Sequence, residues 1–190
     1  MIQPHLYLDT CIILDAIYNR RAASNSLIKQ AKNEVERGNW LCSTSRWTVI
    51  ELFDNMQEEL FVKNLRVEGN LWSNVNRKLH TRRQTGAGLK KPELTSIWKQ
   101  LHELTNNQLS FIQSQHPLND AMWNKAEDIC GTTNIGSTDA LHLASALEIG
   151  CNILVTTDQD FITIANINAD IIAVPPSEVD LAITKINLKG

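Results

Sequence analysis

The chain has 190 residues, of which 43% are hydrophobic, and its formal net charge is −3. This length allows one substantial core, and the charge excludes a protein that holds nucleic acid by a positive surface on all sides. The apolar runs are too short for a signal peptide or a membrane span, and the N-terminal run, residues 6–14, is interrupted by Asp9. The sequence therefore predicts one cytoplasmic domain that does not enter a membrane.

Short apolar segments alternate with helical patterns along the chain. Buried strands are predicted at residues 5–9, 40–43, 153–156 and 171–174. Helices are predicted at 22–37, 46–69, 120–129 and 137–149, and Gly38 and Gly150 end two of them. This alternation predicts an α/β fold in which a mainly parallel sheet has helices on both faces.

A basic segment lies in the long stretch between the second and third predicted strands. Residues 76–92 contain six cations and no acidic residue; the cations are Arg77, Lys78, Arg82, Arg83, Lys90 and Lys91. We interpret this segment as a loop, flexible at Gly86 and Gly88, that leads to a second helix over 93–114. It is predicted to contact a phosphate backbone or an acidic partner segment, and a solvated loop without function remains the alternative.

Four acidic residues occupy related places in the predicted fold. Asp9 ends the first strand, Asp158 follows the third, Glu51 lies two turns into a helix, and Asp139 lies in the first turn of the helix before the third strand. Because ligands bind beyond the carboxyl ends of parallel strands, we expect the four carboxylates to converge on one crevice.

Each of these residues also has a structural explanation when it is taken alone. Asp139 favours the positive end of its helix, where Ser137 or Thr138 is the expected N-cap. Asp158 and Asp160 are typical of a turn, and Glu51 is typical of a solvated helix. His142, one turn after Asp139, is predicted to be a semi-buried residue with satisfied hydrogen bonds rather than a site residue.

The joint placement of four carboxylates favours a metal site. Two like charges about 4 Å apart repel by roughly 4 kcal/mol at an effective dielectric near 20, and no Lys or Arg neighbours Asp9, Glu51 or Asp139 in sequence. The four cysteines form no CxxC pair, and oxygen ligands favour Mg²⁺ or Mn²⁺ over zinc. Such a cation suggests attack of water on a phosphodiester.

Four ordered motifs, LYLDTCIIL, TVIELF, STDALHLASA and LVTTDQDF, resemble those of PIN-domain nucleases, including the toxins of bacterial toxin–antitoxin pairs. The resemblance implies a three-layer α/β/α fold, with a helical insertion at about residues 63–116 in a single domain spanning 1–190. It implies a Mg²⁺- or Mn²⁺-dependent ribonuclease with Asp9, Glu51, Asp139 and Asp158 as its acidic tetrad. Thr10, Thr157 and Asp160 are the implied auxiliary residues. The implied partners are an RNA substrate, an antitoxin-like protein and a second copy of the chain.

Two features depart from the family pattern, and the residues also bear on other functions. The insertion makes the chain longer than small toxins of the family, and Cys11 stands where a small polar residue is frequent. An aspartyl phosphatase would need a second Asp at the position of Cys11, and no GxGxxG follows the first strand to indicate a dinucleotide site. A catalytically silent PIN-like module that binds RNA or protein remains the alternative.

Overall fold

The computed structural model describes residues 2–86, 88–116 and 118–189. The chain folds as two compact units. The first contains the residues up to Val49 and those from Leu109 onward, and the second contains Ile50–Gln108. Among the described residues, no helix is both long and apolar enough to cross a membrane. The boundaries of a single domain with an insertion at 63–116 stay a prediction.

The first unit contains a parallel sheet. Within the described part of the chain its strands are β1 (His5–Leu8), β2 (Leu41–Ser45), β3 (Gln113–His116), β4 (Ile153–Val155) and β5 (Ile172–Val174). Their order is β3-β2-β1-β4-β5, and every pair of neighbours is parallel. Leu8 pairs with Val155, so β1 and β4 end side by side in the middle of the sheet.

Helices cover both faces of this sheet. They are α1 (Thr10–Ile17), α2 (Ala22–Glu36), the start of α3 (Arg46–Val67), α6 (Asp120–Thr132), α7 (Ser137–Ile149), α8 (Gln159–Asn168) and α9 (Val179–Lys189). On one face, Tyr7 and Leu154 pack in a cluster with Leu143 of α7 and Phe161 of α8. Helix α2 contacts β2, and α9 contacts β4 and β5. Since strand residues alternate between faces, fully buried Leu6 and its neighbours require this second layer, and the predicted α/β/α architecture is confirmed.

The second unit is helical. It contains the remainder of α3, α4 (Trp72–Thr85), α5 (Lys91–Glu103) and a π-helical turn at Leu104–Gln108. Helices α3 and α4 pack through Phe61, Leu65 and Val75. Gly86 ends α4 in the left-handed conformation with φ of 68°. Gly88 has φ of 118°, and a Cβ built there would overlap the Phe61 ring, so this turn is packed against α3.

Two sequence interpretations of this region are wrong. The basic segment is not a loop over most of its length, because α4 continues to Thr85, and Ala87 lies outside the described residues. The helix expected over 93–114 ends at Glu103, and β3 at Gln113–His116 pairs with β2 instead. The other predicted strands and helices are present, with ends shifted by up to three residues.

Candidate functional site

The carboxyl ends of β1 and β4 bring two polar side chains together. Asp9 directly follows β1 and is the N-cap residue of α1, and its backbone N–H donates to Val155 O at 3.1 Å. Thr156 directly follows β4. The parallel pairing of β1 with β4 therefore places both residues at the edge of the sheet where ligands bind in folds of this class.

Asp9 is a buried carboxylate held by neutral donors. The residue is 8% exposed, and Oδ2 accepts hydrogen bonds from Thr156 Oγ1 at 2.6 Å and from Cys11 Sγ at 3.1 Å. Burial, and then the charge of Asp9, raise the pKa of Cys11 to about 12, so the thiol is protonated at neutral pH and donates. The backbone N–H of Thr157 donates to the Cys11 sulfur at 3.3 Å, which fixes the thiol.

His142 faces the other oxygen of Asp9. The distance from His142 Nε2 to Asp9 Oδ1 is 3.6 Å, which is longer than a hydrogen bond and makes the contact electrostatic. His142 is 1% exposed, and its Nδ1 lies 2.9 Å from the hydroxyl of Tyr7. The predicted satisfied hydrogen bonding is therefore confirmed, although the residue is fully buried, and its contact with Asp9 places it in the candidate site.

Asp139 occupies the third position of α7. The N-cap of this helix is Gly136, so the expectation that Ser137 or Thr138 is the cap is wrong. A Cβ built on Gly136 would lie 3.5 Å from Asp139 Oδ2. Residues three apart in a helix share a face, and His142 contacts Asp9 from that face. Half-buried Asp139 therefore lies on the side of α7 that is turned toward the end of β1.

Asp158 is exposed and caps α8. Its Oδ1 accepts the backbone N–H groups of Asp160 at 2.9 Å and Phe161 at 3.0 Å, so the turn explanation applies to this residue. Asp158 is also tied to the sheet edge, since its own N–H donates to Thr156 Oγ1 at 3.2 Å. Among the described residues, Oδ2 of Asp158 makes no hydrogen bond, which leaves one oxygen for another ligand.

The remaining predicted site residues are placed separately. Thr10 is the first residue of α1 and is 6% exposed. Asp160 is exposed in the first turn of α8. Glu51 belongs to the second unit, where it is half-buried on α3 and its carbonyl accepts Asn55 Nδ2 at 2.9 Å. The convergence of Glu51 with the aspartates stays a prediction.

The donor chemistry around Asp9 fits a hard cation. Among the described residues, its side-chain partners are Thr156, Cys11 and His142, and none is a Lys or Arg. No group of three or more His, Cys, Asp or Glu side chains in the described ranges is arranged as a ready-made metal centre. Magnesium is commonly held by one or two carboxylates with waters and substrate phosphates, and Asp9 is a carboxylate of that kind.

Four of the six basic residues in the segment lie on α4, and two of these are used within the second unit. Arg82 is 8% exposed, donates to Gln57 Oε1 at 2.8 Å and lies 5.3 Å from the centre of the Phe61 ring. Arg83 donates to both carboxylate oxygens of Glu58 at 2.7 and 2.6 Å. Exposed Arg77 and Lys78 donate to the neutral side chains of Asn74 and Asn70 at 3.4 and 3.0 Å. Their charges are thus the better placed for an external phosphate.

Comparison with known proteins identifies the chain's relatives. The family model for the PIN domain matches residues 6–167. The structure of VapBC2 from Rickettsia felis, bound to a DNA fragment from its promoter, is 16% identical, with a TM-score of 0.52 over 90% of this chain and 98% of that chain. The structure of VapBC-1 from nontypeable Haemophilus influenzae is also 16% identical, with a TM-score of 0.52 over 91% of this chain and 98% of that chain. At this identity the two structures show the shared fold, and no curated protein matches.

Proposed function

Because the chain belongs to the PIN domain family, we propose that it is a Mg²⁺- or Mn²⁺-dependent endoribonuclease. Asp9, Asp139 and Asp158 of the first unit and Glu51 of the second are the proposed cation ligands. The bound cation would supply an activated water and would stabilise charge on the scissile phosphate. The protein needs no nucleophile of its own for this reaction.

The observation that carries the proposal is the environment of Asp9. A carboxylate that is 8% exposed normally has a cationic partner, yet its described partners are a hydroxyl, a thiol and an imidazole. Thr156 and Cys11 hold one oxygen in a fixed direction. A charge that is oriented but not neutralised by Lys or Arg is suited to a cation that arrives with the substrate.

The residues around the site have separate proposed tasks. Thr156 and Cys11 orient Asp9, while Thr157 positions the Cys11 sulfur through its backbone. Asp158 keeps one oxygen on the α8 backbone and offers the other toward solvent. Thr10 and Asp160 are proposed auxiliary residues beside Asp9 and Asp158.

Substrate RNA is proposed to bind along the exposed cations of the basic segment. Arg77, Lys78, Lys90 and Lys91 are exposed, whereas Arg82 and Arg83 make contacts inside the second unit. The first four therefore form the proposed phosphate-binding surface, and Arg82 and Arg83 contribute mainly by holding α4 in place.

An antitoxin-like partner is proposed from the two similar structures. Both are VapBC proteins, and one is described with promoter DNA. A toxin whose partner is an antitoxin-like protein, and which forms a homodimer, is the corresponding proposal for this chain. Co-expression with the product of a neighbouring gene, followed by light scattering of the purified protein, would test both associations.

Cleavage of single-stranded RNA in the presence of Mn²⁺ tests the enzymatic proposal. Wild-type protein should cleave, chelator should stop cleavage, and Asp9→Asn should be inactive. Asp170→Asn is the matched control, since Asp170 is an exposed aspartate between α8 and β5. Retention of full activity by Asp9→Asn would contradict the proposal, and RNA binding without cleavage by wild type would favour the silent module.

A further inference from the structure

A chain of buried polar side chains runs beneath the candidate site, from β2 to Asp9. Tyr7 Oη lies 3.0 Å from Ser45 Oγ and 2.9 Å from His142 Nδ1, and His142 Nε2 lies 3.6 Å from Asp9 Oδ1. Tyr7 and Ser45 are fully buried, and His142 is 1% exposed. Tyr7, Ser45 and His142 connect three elements of the fold, β1, β2 and α7, to the single carboxylate of Asp9.

We propose that Tyr7 and His142 are positioning residues, which hold the Asp9 carboxylate in the orientation that binds the divalent cation. The proposal rests on the proposed function, because it assigns these residues a role toward that cation. The sequence motifs include both residues but indicate no such role for them, since Tyr7 occupies a strand and His142 an apolar helix.

The hydrogen bonds of Tyr7 support this role. Tyr7 Oη donates to Ser45 Oγ, and the same oxygen lies 2.9 Å from His142 Nδ1, where it can accept the N–H of the ring. The hydroxyl therefore holds the imidazole through Nδ1 and leaves Nε2 facing Asp9 Oδ1. Because the ring is tied at Nδ1, Tyr7 and Ser45 fix the direction from which Nε2 meets the carboxylate.

The two oxygens of Asp9 are therefore restrained from opposite sides. Thr156 and Cys11 hydrogen-bond Oδ2, and the imidazole of His142 faces Oδ1. The Tyr7 and His142 rings meet edge to face, with centroids 5.9 Å apart and planes at 64°, so the imidazole has little freedom to turn away. Groups that orient a metal ligand typically change metal affinity or activity by about 10–100-fold when they are removed.

A second polar pair, which is partly buried, provides a matched control. His5 Nε2 lies 2.8 Å from Ser43 Oγ, on the same two strands and two residues before Tyr7 and Ser45. That pair also joins β1 to β2 through a serine hydroxyl, but the described side-chain contacts of Asp9 include neither residue. Ser43→Ala therefore removes a comparable hydrogen bond without touching the candidate site.

The test is a titration of the full chain with Mn²⁺ alone, with free Mn²⁺ followed by electron paramagnetic resonance. Tyr7→Phe removes only the hydroxyl, and it should weaken Mn²⁺ binding by about 10-fold. Ser43→Ala should bind Mn²⁺ as wild type does. In an Asp9→Asn background, Tyr7→Phe should have no further effect, because the carboxylate that it positions is absent.

A pair of substitutions at His142 keeps the test valid if Tyr7→Phe fails to fold. His142→Gln retains an N–H donor that can face Asp9, whereas His142→Met fills similar space without one. The glutamine variant should bind Mn²⁺ more tightly than the methionine variant, even where thermal unfolding in chelator shows equal stability.

The outcomes separate the two proposals. If wild type binds Mn²⁺ and Tyr7→Phe and His142→Met bind it equally well, Tyr7 and His142 are only structural and this inference is overturned. If wild type does not bind Mn²⁺, the proposed function fails, and the inference that rests on it fails with it. A selective loss of Mn²⁺ affinity, with Ser43→Ala unaffected, supports the inference.

Discussion

Glu58 of the second unit and Asp9 of the first have opposite kinds of partner. In the second unit, Glu58 accepts two hydrogen bonds from Arg83, and this pairing holds the pKa of Glu58 below its ordinary value of 4.5. In the first unit, Asp9 has neutral hydroxyl and thiol donors and no described Lys or Arg partner. The difference indicates that charge is neutralised where it serves packing and is left available at the edge of the sheet.

The basic segment fits the same comparison. A count of cations in residues 76–92 marks the whole segment as a nucleic-acid surface, but Arg82 and Arg83 lie against Gln57, Phe61 and Glu58. Their positive charge is used to attach α4 to α3. Local charge density in a sequence therefore overstates the charge that is free to meet a ligand.

Asp139→Asn should give the largest effect. It should abolish cleavage, a loss of at least about 100-fold, since orienting groups alone cost about 10–100-fold. Stability in chelator should be equal or higher, because repulsion with Asp9 falls. RNA cleavage and thermal unfolding measure the two effects.

Asp120→Asn is the matched control for that variant, because Asp120 also lies in the first turn of a helix, α6. If Asp139 acted only by stabilising the N-terminus of α7, both variants would lose up to about 1 kcal/mol of stability and both would keep wild-type cleavage.

Arg82→Ala should give the next largest effect, on stability. It removes the hydrogen bond to Gln57 and the packing of the side chain against Phe61, so the free energy of unfolding should fall by about 1–3 kcal/mol. Urea unfolding measures the change. Exposed Arg77, five residues earlier on α4, supplies the control, and Arg77→Ala should stay within about 0.5 kcal/mol of wild type. Equal losses in both variants would remove the distinction between structural and available cations.

The double variant Arg77→Ala/Lys78→Ala should weaken RNA binding with little change in stability. Each lost phosphate contact should reduce the slope of log affinity against log salt by about 0.7, so the two together should reduce it by up to about 1.4. Binding at several salt concentrations measures the slope. Lys32→Ala, on α2 of the first unit, should leave the slope unchanged. An unaltered slope in the double variant would locate the RNA surface elsewhere.

Glu58→Gln should give the smallest effect, on the acid dependence of stability. The lowered pKa means that ionised Glu58 stabilises the fold above pH 4.5, and that this contribution is lost as pH falls through the lowered folded value. Because the pair is partly exposed, the difference from wild type at neutral pH should be below about 1 kcal/mol.

Asp54 contributes with the opposite sign to the same pH profile. Burial, and then the charge of Glu58, raise its pKa, so acidification relieves an unfavourable charge there. Urea unfolding at neutral pH and below pH 4.5 should show the difference in unfolding free energy between Glu58→Gln and wild type narrowing in acid. If the stability difference between Glu58→Gln and wild type persisted in acid, the ion pair of Glu58 with Arg83 would not be its cause.

The sequence predicts the sheet edge better than the contacts made there. Asp9 is placed correctly because a buried apolar run ends just before it, and parallel strands end at one edge. Which threonine contacts Asp9 depends on the residue at which β4 ends. Thr156 donates a hydrogen bond to Asp9 in the structure, whereas the sequence favoured Thr157. His142 looks like part of an apolar helix until the packing of α7 against the sheet turns its ring toward Asp9.

The helical unit and β3 were harder to predict because tertiary contacts decide them. Helix α4 has few buried apolar residues, and Arg82 takes the place of one by lying against Phe61. The four residues QSQH of β3 contain no hydrophobic alternation, so their pairing with β2 determines the strand. The hydrophobic periodicity of the sequence reveals neither the packing of Arg82 on Phe61 nor the pairing of β3 with β2.

The most direct test of the account is a crystal structure of the wild-type chain soaked in Mn²⁺, with the anomalous signal used to locate the ion. We predict an anomalous peak bound to Asp9, with Asp139 bound directly or through water, while Thr156 keeps its hydrogen bond to Asp9. An anomalous peak held only by residues elsewhere, with Asp9 still bound by Thr156 and Cys11 alone, would contradict the claim that this carboxylate is kept available for a cation.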